Sequence, residues 1–437
     1  MRFITAIFCI LGFATNSSAE NIRIENVTVI SMDHPTAQEG VVVTIVDDRI
    51  RHIGTADKAP SLHGAPRIID GTGKFLIPGL AEMHGHLPAS GWDKDRTEDT
   101  LFLYLAGGVT TVRGMLGDPV QFDLRQKIEL GEIAGPTLYL AAPSLNGRSV
   151  TSVEEAIQKT KQYAAAGWDL QKLHGGLSLE EYDAIAATAN ALGYPFGGHV
   201  SADVGIEHSL DAGQISIDHM DGYLQWLGGY ERPLTAEDIQ KAVDKTLASG
   251  AWVVPTQALF NTFYAGADED PTLPEDEVSA LLARPETAYV DKAMLARWEQ
   301  TARSVRRSAM VVENRRKLLK AFADAGAHVA MGSDAPQTFS VPGFSVWREI
   351  EEMVAGGMSA EQILHVGTKA AGDYLKDKDT FGVIKAGARA DLILLDADPR
   401  ADIMNITKQA GVMAAGRWYS RDEIDARLKE IAARHGN

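Results

Sequence analysis

Cysteine is nearly absent: the 437-residue chain has one, Cys9. It lies in a short apolar run, residues 3–14, that follows Arg2 and precedes the small residues Ser17-Ser18-Ala19, the make-up of an export signal over residues 1–19. Cleavage there leaves a mature chain starting at Glu20 with no thiol, which excludes disulfides and cysteine catalysis and suits a periplasmic or secreted protein. Ile7-Phe8 ahead of Cys9 are too large for processing to a lipid-anchored cysteine. Positive charge is also short, with 42 Lys and Arg against 59 Asp and Glu and a net charge of −17. Nucleic-acid binding needs a basic footprint and is excluded on that ground; the acidic excess serves solubility. The N-terminal apolar run is too short to cross a bilayer, so no membrane span is expected.

Apolar content of 45% and charged content of 23% are ordinary for a globular protein, and the length calls for one large domain with a smaller companion. The chain is organised around residues 77–87, IPGLAEMHGHL, which read as a short buried strand ending on two histidines. Residues i and i+2 of a strand point to one side, so His84 and His86 can direct both imidazoles at one ion. From residue 79 onward strand-like and helical patterns alternate. The strand runs are 79–87, 108–115, 137–143, 169–174, 195–200, 215–219, 251–259 and 328–333. Capping boxes at Ser152/Glu155, Ser178/Glu181 and Ser359/Gln362 start helices between or after them. Eight such units over roughly 250–300 residues predict an α/β fold, a (β/α)8 TIM-type barrel over residues 77–380.

Two further features complete the layout. The connection at about 260–327 is far longer than a barrel needs; it carries the acidic stretch DEDPTLPEDE and a long amphipathic helix from about Glu286 to Ala325, as a lid or binding element would. Residues 20–76 carry alternating strands with an Asp47-Asp48 turn, and residues 381–437 carry two more strands. Together they predict a smaller discontinuous β-sandwich domain built from both chain ends.

Catalytic groups of such a barrel stand at the C-terminal ends of its strands. Those positions hold His84 and His86, Lys172, His199, His219 and Asp334, each a metal ligand or able to become one. An ammonium beside divalent cations is repelled, so Lys172 is expected to lose its proton, add carbon dioxide and bridge two ions as a carbamate. His174, on the same side of its strand, is the rival ligand. The other histidines, His34, His52, His63, His208, His328, His365 and His435, fall in the small domain or tail, on helices, or at the wrong end of a strand, and are expected to bind no catalytic metal.

The stretches IPGLAEMHGHL, GGVTTVRGM, LQKLHGG, GGHVS, SIDHMDG, GSDAP and GVIKAGARADLILLD resemble the amidohydrolase superfamily, in its prolidase-like and imidazolonepropionase-like branch, over almost the whole mature chain. Two departures stand out: glycine between the histidines of MHGH, and Arg113-Gly114 where arginine-aspartate is common. The resemblance implies a metal-dependent hydrolase. His84, His86 and Asp334 would hold one divalent ion, His199 and His219 a second, with carbamylated Lys172 between. Zinc suits these ligands best, and manganese or cobalt are compatible. Two ions about 3.5–4 Å apart acidify a shared water, and Asp334 can take its proton and pass it to the leaving amine.

Aromatics cluster at the strand ends: Trp92, Tyr223, Trp226, Tyr230, Phe260, Phe263, Tyr264 and Phe339. With Arg113, Tyr223 and Tyr230 as anchors for a carboxylate, they point to a small-molecule amide or peptide substrate, a dipeptide or N-acyl amino acid. A lactone or ester hydrolase, a deaminase, and a non-catalytic exported binding protein are the alternatives, and a homo-oligomer is left open.

Overall fold

The computed structural model describes residues 21–62, 64–264, 275–304 and 308–436. The export segment, His63 and most of the acidic stretch lie outside them.

The strands, in chain order, are β1 (Ile22–Val29), β2 (Gln38–Val46), β3 (Arg49–Gly54), β4 (Arg67–Asp70), β5 (Phe75–Pro78), β6 (Leu80–Gly85), β7 (Val109–Gly114), β8 (Thr137–Leu140), β9 (Gln171–Leu173), β10 (Phe196–Gly198), β11 (Ser216–Asp218), β12 (Trp252–Val254), β13 (Leu392–Leu395), β14 (Gln409–Ala414) and β15 (Arg417–Ser420). The small domain takes β1–β5 from one end of the chain and β13–β15 from the other. In β1 the buried positions step from Ile22 and Ile24 to Val27 and Val29. Alternation alone cannot make that shift, and the β1–β2 register slips there, beside Asn26 with a left-handed φ of 55°.

The expected sandwich is instead one hydrogen-bonded sheet, ordered β15-β14-β13-β5-β1-β2-β3 with β4 also on β1. The two chain ends join edge to edge, because β5 pairs with β1 on one side and β13 on the other. The helix Arg421–His435, in the stretch assigned to this domain, packs on β14 and β15 and also reaches the larger domain, where Asp99 of the helix Lys94–Ala106 accepts from Arg427 at 3.0 Å and from Arg434 Nε at 2.9 Å.

Between β5 and β6 the chain passes from the sheet into the larger domain at Gly79, where a Cβ would meet Thr110 Oγ1 at 2.1 Å; only glycine fits. Two parallel sheets follow, β6-β7-β8 and β9-β10-β11-β12. They meet through Ala142 N–H to Leu170 O at 2.8 Å and Leu145 N–H to Lys172 O at 3.0 Å. The run 328–333, expected as a strand, forms no ladder among the described residues. It is held between β12 and β6 by isolated bonds, Val253 N–H to His328 O at 2.8 Å and Ala330 N–H to Val253 O at 3.0 Å on one side, and Met83 N–H to Met331 O and Asp334 N–H to His84 O, both 2.8 Å, on the other. Gly332 passes so close that a Cβ would stand 2.9 Å from His84 N and 2.5 Å from Val254 Cγ1.

Helices cover these sheets in alternation with the strands. The Ser178 and Ser359 capping boxes are complete, whereas Glu155 turns back to Thr151 rather than to Ser152. The seventh run ends at Val254, short of the expected 259, because Pro255 cannot donate to a ladder and a helix, Gln257–Tyr264, begins instead. The long helix expected from about Glu286 to Ala325 is instead a 3-10 turn, Pro285–Tyr289, followed by two helices, Lys292–Ser304 and Ala309–Asp324, and a further helix, Glu275–Leu282, precedes them.

Candidate metal centre

His84, His219 and Asp334 bring one ligand atom each to within 4.8 Å of one another. Around them stand His86, whose Nε2 lies 2.6 Å from Asp334 Oδ1, Lys172, whose Nζ lies 3.4 Å from His84 Nε2, and His199, whose ring centre is 4.4 Å from that of His219. The strand ends thus bring all of these sequence-predicted side chains together. His174 stacks on the far side of His199 at 4.4 Å. Strained backbone marks the same place: Asp334 (φ 64°), His219 (62°), Met220 (57°) and Thr256 (46°) are left-handed without being glycine. Such conformations persist where the surroundings enforce them.

Three of these imidazoles are oriented from behind. His84 Nδ1 meets Asp218 Oδ2 at 2.7 Å, His199 Nδ1 meets Asp221 Oδ2 at 2.7 Å, and His219 Nδ1 meets Thr256 Oγ1 at 2.8 Å. This fixes which nitrogen faces the centre. His219 Nε2 is buried and, among the described residues, has no hydrogen-bond partner, as expected of a nitrogen reserved for an ion. Burial, then the neighbouring positive groups, hold His84 and His219 well below the ordinary histidine range, in the neutral form that binds metal. Burial brings the Lys172 amine down to about 8, against the opposing pull of Asp218 and Asp334, so a neutral amine is accessible near neutrality. These observations fit a resident divalent metal.

Sequence reasoning missed the layer beneath. Glu82 precedes His84 by two residues and accepts from His84 N at 3.0 Å, from Ser333 N at 2.8 Å and from the Ser333 hydroxyl. It ties the strand bearing His84 to the segment bearing Asp334, and burial pushes its carboxyl up to about 7. Asp218 is fully buried, and Arg113 reaches it at 3.1 Å. The signals were present in the sequence as acidic residues inside EMHGH and SIDHMDG.

Two of the proposed carboxylate anchors fail. Arg113 is fully buried, donating to Met83 O, Ser216, Tyr374 and Asp218, so it supports His84 through Asp218 instead of meeting substrate. Tyr223 is fully buried against Phe322, its hydroxyl 2.6 Å from Thr246 Oγ1. Tyr230 stands 46% exposed in the turn after the helix Tyr223–Leu227. Of the aromatics, Phe339 is buried against Trp298, Trp92 is covered by Arg96 and Trp226 faces Lys241; the side chains of Phe263 and Tyr264 lie outside the described residues. His34, His328 and His365 line a separate cavity of about 810 Å³ at the N-terminal end of the strands, with Trp252 stacked on His328.

The signature of the Amidohydrolase family matches residues 75–419, most of the chain and every residue of the centre. The chain belongs to the amidohydrolase family. Imidazolonepropionase from Cutibacterium acnes is 26% identical over 417 residues, 88% of this chain and 92% of the relative. Among solved structures, a bottromycin amidohydrolase superposes with a TM-score of 0.70 at 19% identity, covering 95% of this chain and 91% of the other. A Xaa-Pro dipeptidase with methionine bound in its active site gives 0.65 at 20%, covering 92% and 100%. This amidohydrolase is therefore a metal-dependent hydrolase acting on C–N bonds, with a small-molecule substrate, in an α/β fold with a second domain. Among the described residues no helix is long and apolar enough to cross a membrane.

Proposed function

We propose that this amidohydrolase cleaves the amide bond of a small peptide-like molecule, a dipeptide or N-acyl amino acid, at a two-ion centre in a (β/α)8 barrel formed by β6–β12 and residues 328–335. His84, His86 and Asp334 would hold one ion and His199 and His219 the other, with zinc as the best match to the donors. The observation that carries the reading is Lys172: a fully buried lysine whose amine sits 3.4 Å from His84 Nε2, among imidazoles that already need to be neutral. Its neutral amine adds to carbon dioxide, forming an N–C bond and releasing one proton, and the resulting carbamate offers two oxygens. Bound divalent ions supply Lewis-acid polarisation of the scissile carbonyl and acidify a water. Asp334, which in this reading stands beside both the ion and its water, would accept the water's proton and return it to the departing amine.

The imidazolonepropionase relatives favour a second reading on the same centre, opening of a cyclic amide. Metal analysis and a substrate panel decide between them. The first reading expects two equivalents of metal per chain and the highest kcat/KM on dipeptides or N-acyl amino acids. One equivalent with a preference for a cyclic amide would replace it by the second, and preference for lactones, esters or amino-group release would sink both. Lys172→Ala should lose metal and activity, with part restored by bicarbonate or short carboxylates; full two-metal occupancy in that variant excludes the bridge. Export of the mature chain from Glu20 is likewise our proposal, checked by the N-terminal mass of natively produced protein; a mature Met1 refutes it.

A further inference from the structure

The helix Ala309–Asp324, capped by Ser308, turns Val311, Val312, Leu318, Leu319 and Phe322 inward at helical spacing. Arg315 stands in the middle of that apolar stripe, 3% exposed. A buried guanidinium is costly unless its donors are used. They are: Nη1 donates to His219 O at 2.7 Å, Nη2 to Pro255 O at 2.8 Å and Nε to Gln257 Oε1 at 3.0 Å, while the guanidinium lies 4.1 Å from the centre of the Phe260 ring. Pro255 and Gln257 flank Thr256, the residue that holds His219 Nδ1. The planar fork therefore grips both ends of the His219–Thr256 hydrogen bond and fixes the two left-handed residues relative to each other.

We infer that Arg315 is a positioning residue, through which the insertion between β12 and residues 328–335 sets the orientation of the His219 imidazole. The inference rests on the metal-centre reading for its functional consequence, and on the geometry alone for the orientation. Outer partners of metal-binding histidines are worth about 10–100-fold in metal affinity.

The test compares Arg315→Lys and Arg315→Met with Asn314→Leu in the full chain. Asn314 is the neighbouring buried residue of the same helix and ties the turn at Gly229 and Arg232 instead of the site, so it controls for lost packing. Two readouts are zinc affinity and the imidazole nitrogen resonances of His219 in metal-free protein. Expected are a loss of about 10–100-fold in zinc affinity in Arg315→Met, partial recovery in Arg315→Lys, displaced His219 resonances in both, and neither effect in Asn314→Leu. Unmoved His219 resonances in Arg315→Met, or equal changes in Asn314→Leu, overturn the inference. Should the wild type bind no zinc while Arg315→Met still displaces the resonances, the metal reading fails and the clamp stands. If Arg315→Met does not fold, Arg315→Lys decides by the same readouts.

Discussion

At the scale of single residues, the proposed chemistry turns on Asp334, which in that reading both holds an ion and moves a proton. In the structure its Oδ1 lies 2.6 Å from His86 Nε2. Asp334→Asn keeps the shape and removes the base, so turnover should fall at least about 100-fold; near-normal kcat would sink the assignment. The histidines and Asp334 were legible in the sequence because a strand end is a predictable address. Arg113 was misread for the same reason: its address is right, but it points inward and spends its donors on Asp218, Ser216, Tyr374 and Met83. Direction at a strand end depends on what stands opposite, and one strand's sequence does not contain that.

At the scale of elements, the insertion is the instructive part. Its length read as a lid or binding element, and its described residues also carry an internal support, Arg315 on the helix Ala309–Asp324; the helix Phe344–Ala355, which follows residues 328–335, carries another, Glu349. Glu349 is fully buried and accepts from Gln257 N at 2.8 Å and Ala258 N at 2.7 Å, capping the helix that starts after Thr256. Burial raises its carboxyl from the ordinary 4.5 to about 8, with Glu352 and Glu82 adding to the rise and the two N–H groups opposing it. Between those pH values the unfolded chain has released this proton and the folded chain retains it. The group's contribution to stability therefore falls as pH rises from 4.5 toward 8 and is constant above. Glu349→Gln lacks that dependence, so its melting temperature relative to wild type should climb from pH 5 to pH 8. Melting curves that run parallel across that range would contradict the shift.

At the scale of the whole molecule, the two domains are joined by ionic contacts as well as by Gly79. Arg389, 4% exposed just before β13, donates to Asp391 at 2.7 Å, to Asp379 at 3.0 Å and to Thr111 on β7 at 2.7 Å, and it covers the Phe381 ring. Asp391 is itself buried and accepts from Ala415 N, next to the turn of the small sheet. Removing the arginine leaves the buried Asp391 without its cation, while Asp379 keeps Arg49 at 2.6 Å, so Arg389→Met should cost about 3–5 kcal/mol in chemical denaturation, the usual scale for breaking a buried pair. A loss below about 1 kcal/mol would show the pair to be solvated like a surface one.

By itself the sequence determined the alternation of strands and helices, the pairing of strands from both chain ends in one sheet and which side chains the strand ends bring together, because each is written in local periodicity or in short motifs at strand ends. Only the tertiary structure decided that the small domain is one sheet, that run 328–333 is wedged rather than laddered, and that Glu82, Asp218, Thr256 and Arg315 stand behind the clustered histidines and Asp334. The physical reason is common to all of them. Each depends on a pairing between residues far apart in the chain, and the energy of such a pairing is set by burial and direction, which exist only once the chain has folded.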